Sequence, residues 1–251
     1  MSAPRHRPRL PLPLSLTLAV ISTIGGAMFA PSRAGAEALH IAVAANFRSA
    51  AEAVAGRFSA TAGDKVIISA ASTGVLAAQL RRGAPFDLLL AADQKRPQAL
   101  VADGFAAGAA RCYARGTLVL LGADRIEALA DPHLSLAIAN PVTAPYGAAA
   151  QAVLARNTFS AAAQRRVVRG ANVAQAYQFY RSGAADLALV ARSLAGREGI
   201  AIPADWHPPI TQYAVVSARS DRAAQAQAFL DFLDTAAGRE LLSERGYEPC
   251  P

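Results

Sequence analysis

The chain has 251 residues, 53% of them hydrophobic and 17% charged, with a formal net charge of +7. That length suits one large domain or two smaller lobes. The charge comes with no basic run and little interleaved aromatic, which excludes a nucleic-acid-binding surface.

The N-terminus accounts for much of the basicity. Residues 1–10 carry Arg5, Arg7 and Arg9 and no acid. An apolar run follows from Leu12 to Ala30, headed by Pro11 and Pro13 and interrupted by Gly25 and Gly26. Ala34-Gly35-Ala36 then forms a small-x-small site, and the pattern reads as a cleaved secretory signal peptide over residues 1–36 rather than a membrane anchor. Removing its four arginines takes the formal charge from +7 to +3, and the mature chain starts near Glu37. No second apolar run is long enough to span a bilayer. Export carries Cys112 and Cys250 into an oxidising compartment, where a bridge is favoured over two free thiols, although nothing in the sequence places them together.

Strand-like and helix-like runs alternate through the rest. The strands read Leu39–Ala44, Lys65–Ala70, Phe86–Ala91, Thr117–Leu121, Leu134–Ala139, Ala185–Val190 and Thr211–Ser217. Most are nearly continuous apolar runs, as in parallel sheets covered by helices on both faces. Phe47, Ala51, Val54 and Phe58 share one helical face, and Ala226, Phe229, Leu230 and Leu233 repeat the pattern near the C-terminus. The chain is therefore α/β. No flexible tether divides it, so strands must join the lobes. The best crossings lie around Gly116-Thr117-Leu118-Val119 and Gln212-Tyr213-Ala214-Val215. This gives one lobe of residues 37–116 plus 218–251 and a second of residues 117–217.

In such folds ligands sit beyond the carboxyl ends of the strands. Four strand-to-helix loops are candidates: Ala45-Asn46-Phe47, Ala71-Ser72-Thr73-Gly74, Asn140 to Gly147, and Arg169-Gly170-Ala171-Asn172-Val173. Asn46, Ser72, Thr73 and Asn172 are N-cap residue types, and taken singly each is explained by capping. Jointly, helix N-termini with free N–H groups form an anion site. The loops contain no Asp or Glu. An ion that carries its own proton needs an acceptor, whereas a fully deprotonated tetrahedral anion needs donors only.

These segments resemble the periplasmic molybdate-binding proteins of ABC importers. The carrying pieces are A-A-N-F (Ala44–Phe47), A-S-T-G-V-L-A-A-Q-L (Ala71–Leu80), G-A-P-F-D-L-L-L-A-A-D-Q-K (Gly83–Lys95), A-N-P-V-T-A-P-Y-G (Ala139–Gly147) and the C-terminal F-L-D-F-L…G-R-E-L-L-S-E-R-G-Y. The resemblance implies a type II two-lobed periplasmic binding protein with parallel-type sheets, two hinge-crossing strands and an oxyanion in the cleft. It implies Asn46 as a side-chain donor, Thr73 with Ser72 beside it as hydroxyl donors, Tyr146 as a contact residue and Val173 as a backbone N–H donor. Three positions depart from the pattern. Ala45 lacks a hydroxyl that some members have, Thr73 replaces a commoner Ser, and Ala191 stands where some members use a Tyr. The implied ligand is molybdate or tungstate, with no cofactor and no further metal. The implied partner is an inner-membrane ABC permease, and the expected form is a periplasmic monomer.

An enzyme is the first rival. The mature histidines, His40, His133 and His207, fall in none of the four loops, and no G-x-S-x-G, H-E-x-x-H or P-loop pattern occurs. No catalytic residue and no metal-ligand spacing is assigned. The alternative reading is a binder of the same fold for sulfate or another small anion. An organic acid would call for an arginine clamp, for which only Arg48 and Arg169 are candidates, and both are expected to point outward. A ferric-iron site would want paired tyrosines; Tyr177 and Tyr180 lie three apart on a helix and are expected to pack or sit at its surface.

Overall fold

A computed structural model describes residues 38–63 and 65–250. The expected signal peptide, residues 1–36, lies outside the described residues.

The described chain forms two five-stranded sheets. The first holds β1 (Leu39–Ala44), β2 (Val66–Ala71), β3 (Leu88–Ala91), β4 (Ala106–Gly116) and β10 (Ile210–Ser217), in the order β2-β1-β3-β10-β4. The second holds β5 (Leu118–Leu121), β6 (Leu136–Ala139), β7 (Val167–Gly170), β8 (Leu187–Ala191) and β9 (Ile200–Ala201), in the order β7-β6-β8-β5-β9. The fold is a mixed α/β architecture. β1 runs parallel to β2 and β3, and β6 runs parallel to β7 and β8. Against the expectation of parallel-type sheets, β10 is antiparallel to β3 and β4, and β5 is antiparallel to β8 and β9. The reversal follows from connectivity: a strand that enters from the other sheet arrives pointing the opposite way.

The crossing from β4 to β5 falls at Gly116-Thr117. The return crossing does not fall at Gln212–Val215. Residues 210–217 pair along their length with β3 and β4, so they belong to the first sheet and the chain has already returned before Ile210. Their apolar character reflects a central position in that sheet.

β3, β5, β6 and β8 are buried along their whole length, because helices cover both faces of each sheet. On one face of the first sheet lie α1 (Arg48–Ala62), α7 (Ala223–Leu233) and α8 (Ala236–Glu244). The predicted stripe Phe47, Ala51, Val54 and Phe58 is buried there against Phe229, and the Phe58 and Phe229 rings meet edge-on at 5.4 Å. The opposite face takes Leu76 and Leu80 of α2 (Thr73–Arg81) and Leu100 of α3 (Lys95–Ala102). The second sheet is covered by α4 (Pro145–Leu154), α5 (Val173–Arg181) and the short α6 (Arg192–Ala195). Fully burying each such Leu or Phe contributes on the order of 2 kcal/mol, offset by the ordering entropy of the chain.

Beyond α8 the chain lies along β4. Arg115 and Glu248 exchange backbone hydrogen bonds at 2.8 and 3.0 Å, and Cys112 is disulfide-bonded to Cys250.

Candidate functional site

Two sheets with the same order of parallel strands point the carboxyl ends of those strands at each other, and helices begin there. The turn at Ala45–Phe47 follows β1 and runs into α1; α2 follows β2; α4 follows β6; α5 follows β7. Each helix start leaves N–H groups without intrahelical partners. The positive ends of four helix dipoles thus face one small cavity.

All five sequence-predicted residues line that cavity: Asn46, Ser72, Thr73, Tyr146 and Val173. Each is at most 4% exposed. The remaining lining comes from Ala44, Ala45, Ala92, Ala144, Pro145 and Asn172. No Asp, Glu, Lys, Arg or His is among these residues. The alanines bring backbone close to the cavity and add no side-chain acceptor.

The donors differ in how they are held. Thr73 is the first residue of α2, and its Oγ1 accepts the Ala92 N–H at 3.0 Å. A hydroxyl that accepts in this way keeps its proton for a further acceptor. Ser72 occupies the N-cap with extended backbone, but its side chain makes no capping bond. Its Oγ is buried and has no protein partner among the described residues. Capping therefore does not explain Ser72: its hydroxyl makes no cap bond, which leaves it for the cavity. Asn172 does cap, its side chain accepting the Gln175 N–H at 3.0 Å, and this leaves the Val173 N–H at the helix mouth.

Asn46 departs from its expected role. Its Nδ2 donates to Gln212 Oε1 at 3.0 Å and to the Tyr247 hydroxyl at 3.1 Å, so both amide protons point away from a ligand. The donors this loop can present are the backbone N–H groups that open the turn.

Tyr146 sits in the first turn of α4 behind Pro145. The loop before it is shaped by Asn140, whose Oδ1 accepts the Val142 N–H and whose carbonyl accepts the Thr143 and Ala144 N–H groups. The Tyr146 ring runs inward until its hydroxyl reaches Gly116 at the crossing between sheets; a Cβ there would lie 1.9 Å from the oxygen. That hydroxyl too is buried without a protein partner. Burial, then the neighbouring Tyr247, raises its pKa well above the ordinary value, so it stays a donor.

Three contacts bracket the cavity from opposite sheets. The Gly74 N–H donates to the Thr143 carbonyl at 2.9 Å, Arg96 Nη2 donates to the Val142 carbonyl at 2.7 Å, and Ser193 Oγ donates to the Asn46 carbonyl at 2.9 Å. Arg96 is held in turn by Asp93, which accepts from its backbone N–H at 2.8 Å and from its guanidinium at 2.5 Å. Gly74 packs tightly here, since a Cβ would lie 3.0 Å from the Thr143 carbonyl oxygen. Arg48 pairs with Glu52 on the surface and Arg169 is exposed outside the cavity, so neither offers an arginine clamp.

Sequence reading missed Arg96, Ser193, Gln212, Tyr113 and Tyr247, none of which lies in the four loops. Only folding brings Tyr247 to Asn46, 201 residues away.

Residues 39–248 match the family model for bacterial extracellular solute-binding proteins. The molybdate-binding protein ModA of Azotobacter vinelandii is 38% identical over 245 residues, covering 91% of this chain and 96% of that protein. ModA of Rhodobacter capsulatus is 37% identical over 217 residues, covering 82% and 86%. The solved structure of the Azotobacter vinelandii periplasmic molybdate-binding protein superposes with a TM-score of 0.79 at 33% identity, covering 85% of this chain and all of that one. The chain belongs to the bacterial extracellular solute-binding protein family and, within it, groups with the proteins named molybdate-binding protein ModA.

Proposed function

We propose that this protein captures molybdate, or the near-isosteric tungstate, in the cavity between its two sheets and delivers it to an ABC permease. The observation that carries the reading is a buried cavity lined by hydroxyl and helix-start N–H groups from both sides, with no acidic side chain among its lining residues. A dianion stripped of water needs its whole hydration shell replaced, and neutral donors do this without competing protons. The ModA relatives at 37–38% identity support the choice of molybdate.

In this reading residues 1–36 direct export and are removed, and a monomer acts in the periplasm. One lobe is built on the first sheet and the other on the second, with boundaries following the sheets near residues 116 and 210. The lobes close around the anion by bending at the two crossings. Water exclusion strengthens each donor contact. Selectivity over sulfate comes from size, because donors fixed on helix starts do not follow a smaller ion inward. No covalent step occurs.

The test is a set of melting curves of anion-stripped protein with molybdate, tungstate, sulfate and phosphate. Ligand at about a hundred times its Kd adds roughly 2.7 kcal/mol, a rise of about 5–10 °C at this size. A shift with molybdate and tungstate alone supports the reading. A shift with sulfate alone moves the substrate to the smaller anion, and no shift with any of the four removes the oxyanion reading.

A further inference from the structure

The wall of the cavity on the first-sheet side is backed by a continuous run of buried hydrogen bonds. Asn46 and Tyr247 exchange two of them: Asn46 Nδ2 donates to the Tyr247 oxygen at 3.1 Å, and the Tyr247 hydroxyl donates to the Asn46 carbonyl at 2.7 Å. The second amide proton of Asn46 goes to Gln212 Oε1 at 3.0 Å. The Tyr113 hydroxyl lies 3.0 Å from that same Oε1 and 3.1 Å from the Ala91 carbonyl. Ala91 C=O and Ala92 N–H belong to one peptide unit, and this N–H is the one that holds Thr73 Oγ1. The run therefore ends on two of the cavity's loops, that of Asn46 and that of Thr73. Tyr113, Gln212 and Tyr247 are at most 5% exposed, and none lines the cavity.

Packing reinforces the bonds. The Phe47 ring stands edge-on to Tyr113 at 4.8 Å and to Tyr247 at 5.0 Å. Covalent chemistry holds the two tyrosines together: Cys112 precedes Tyr113, Cys250 follows Tyr247 by three residues, and the two cysteines are bonded. Glu248 adds backbone bonds and a 2.5 Å ion pair to Arg115 between them.

We infer that Tyr247, with Gln212 and Tyr113, is a positioning residue of the anion site, and that the disulfide-pinned C-terminal tail is the brace that keeps the backbone donors of the Asn46 loop and the Thr73 hydroxyl at a fixed separation. The inference rests on the oxyanion reading above. A braced frame sets selectivity as well as affinity. Donors that cannot move inward fit the larger tetrahedral anion and leave a smaller one underbonded, whereas a loosened frame tolerates both. General destabilisation behaves differently, since it lowers the competent fraction and weakens both anions by the same factor.

The test is calorimetric titration of the wild-type chain, Tyr247→Phe and Tyr113→Phe with molybdate and with sulfate. Both variants keep the ring against Phe47 and lose only the hydroxyl. The expected result is molybdate affinity reduced about tenfold, together with a smaller ratio of sulfate Kd to molybdate Kd. The Cys112→Ser/Cys250→Ser double variant moves in the same direction. Molybdate binding by wild type with affinity and ratio unchanged in the Phe variants overturns the positioning role alone. Equal weakening of both anions also overturns it, in favour of a purely structural role. Wild type that binds neither anion overturns the oxyanion reading, and this inference with it. Should Tyr247→Phe fail to fold, Tyr113→Phe and the cysteine variant decide the matter on the same two quantities.

Discussion

Thr73 Oγ1 accepts the Ala92 N–H at 3.0 Å, and this bond fixes the direction of the hydroxyl that the second loop offers to the cavity. Thr73→Ala removes that donor and leaves both the Ala92 N–H and one anion oxygen unpaired. The expected cost is about 1.5–3 kcal/mol, a roughly 10- to 150-fold weaker molybdate Kd by calorimetry. Thr73→Ser keeps the hydroxyl and is expected to stay within a few-fold of wild type. Equal affinity of the Ala variant would place the anion elsewhere.

Arg96 joins the two sheets across the mouth of the cavity through the Val142 carbonyl. Its guanidinium is anchored by Asp93 at 2.5 Å, so the reach is preorganised. Arg96→Ala is expected to speed molybdate release by about fivefold with little change in the association rate, because one hydrogen bond that joins the two sheets is lost. Stopped-flow displacement by tungstate measures it. An unchanged release rate would mean that the contact does not hold the cleft shut. Arg96→Lys does not restore wild type, since an ammonium lacks the planar fork that engages Asp93 and Val142 together.

Gly116 faces the Tyr146 hydroxyl so closely that a Cβ would lie 1.9 Å from the oxygen. Gly116→Ala must displace the tyrosine or the crossing between the sheets. Overpacking of this kind costs about 1–3 kcal/mol, readable as a lower urea midpoint with the slope unchanged. A wild-type midpoint would mean that the Tyr146 ring moves aside freely.

Tyr113, Tyr146 and Tyr247 are buried, and burial raises the pKa of each, reinforced at Tyr113 and Tyr146 by the neighbouring tyrosines and opposed at Tyr247 by its hydrogen bonds. The folded protein then holds protons that the unfolded chain releases near pH 10. Their contribution to stability is intact below that pH and is lost as pH rises above it. In an alkaline titration followed at 295 nm, these three of the six tyrosines are expected to ionise together with loss of the far-ultraviolet circular dichroism. Ionisation of all six near pH 10 in a protein that keeps its native spectrum would contradict the buried arrangement.

The sequence carries the local parts of this architecture well. Leu39–Ala44 is read with its true ends, as an apolar run that stops where the turn at Ala45–Phe47 begins. The candidate loops are legible because helix starts have cap residues and strand ends have small ones. β4 is not legible. Ala106–Gly116 is rich in alanine, glycine and arginine, and it is extended because β10 pairs with it at the sheet edge, not because of intrinsic preference. The direction of β10 is hidden for a related reason, since an apolar strand reads the same in a parallel or antiparallel setting. Asn46 illustrates the limit within the site. Its position at the cavity follows from the motif, but the destination of its amide depends on Gln212 and Tyr247, which no local pattern connects to it.

The Cys112–Cys250 bond spans 138 residues, and the whole second sheet lies inside the ring it closes. A protease that cuts once anywhere within residues 113–249 therefore opens a ring and releases no fragment. The two pieces stay one molecule, docked through the first sheet, until a reductant separates them. In an oxidising compartment a single cleavage of any surface loop in that span becomes a nick, and the products part on a gel only when thiol is added.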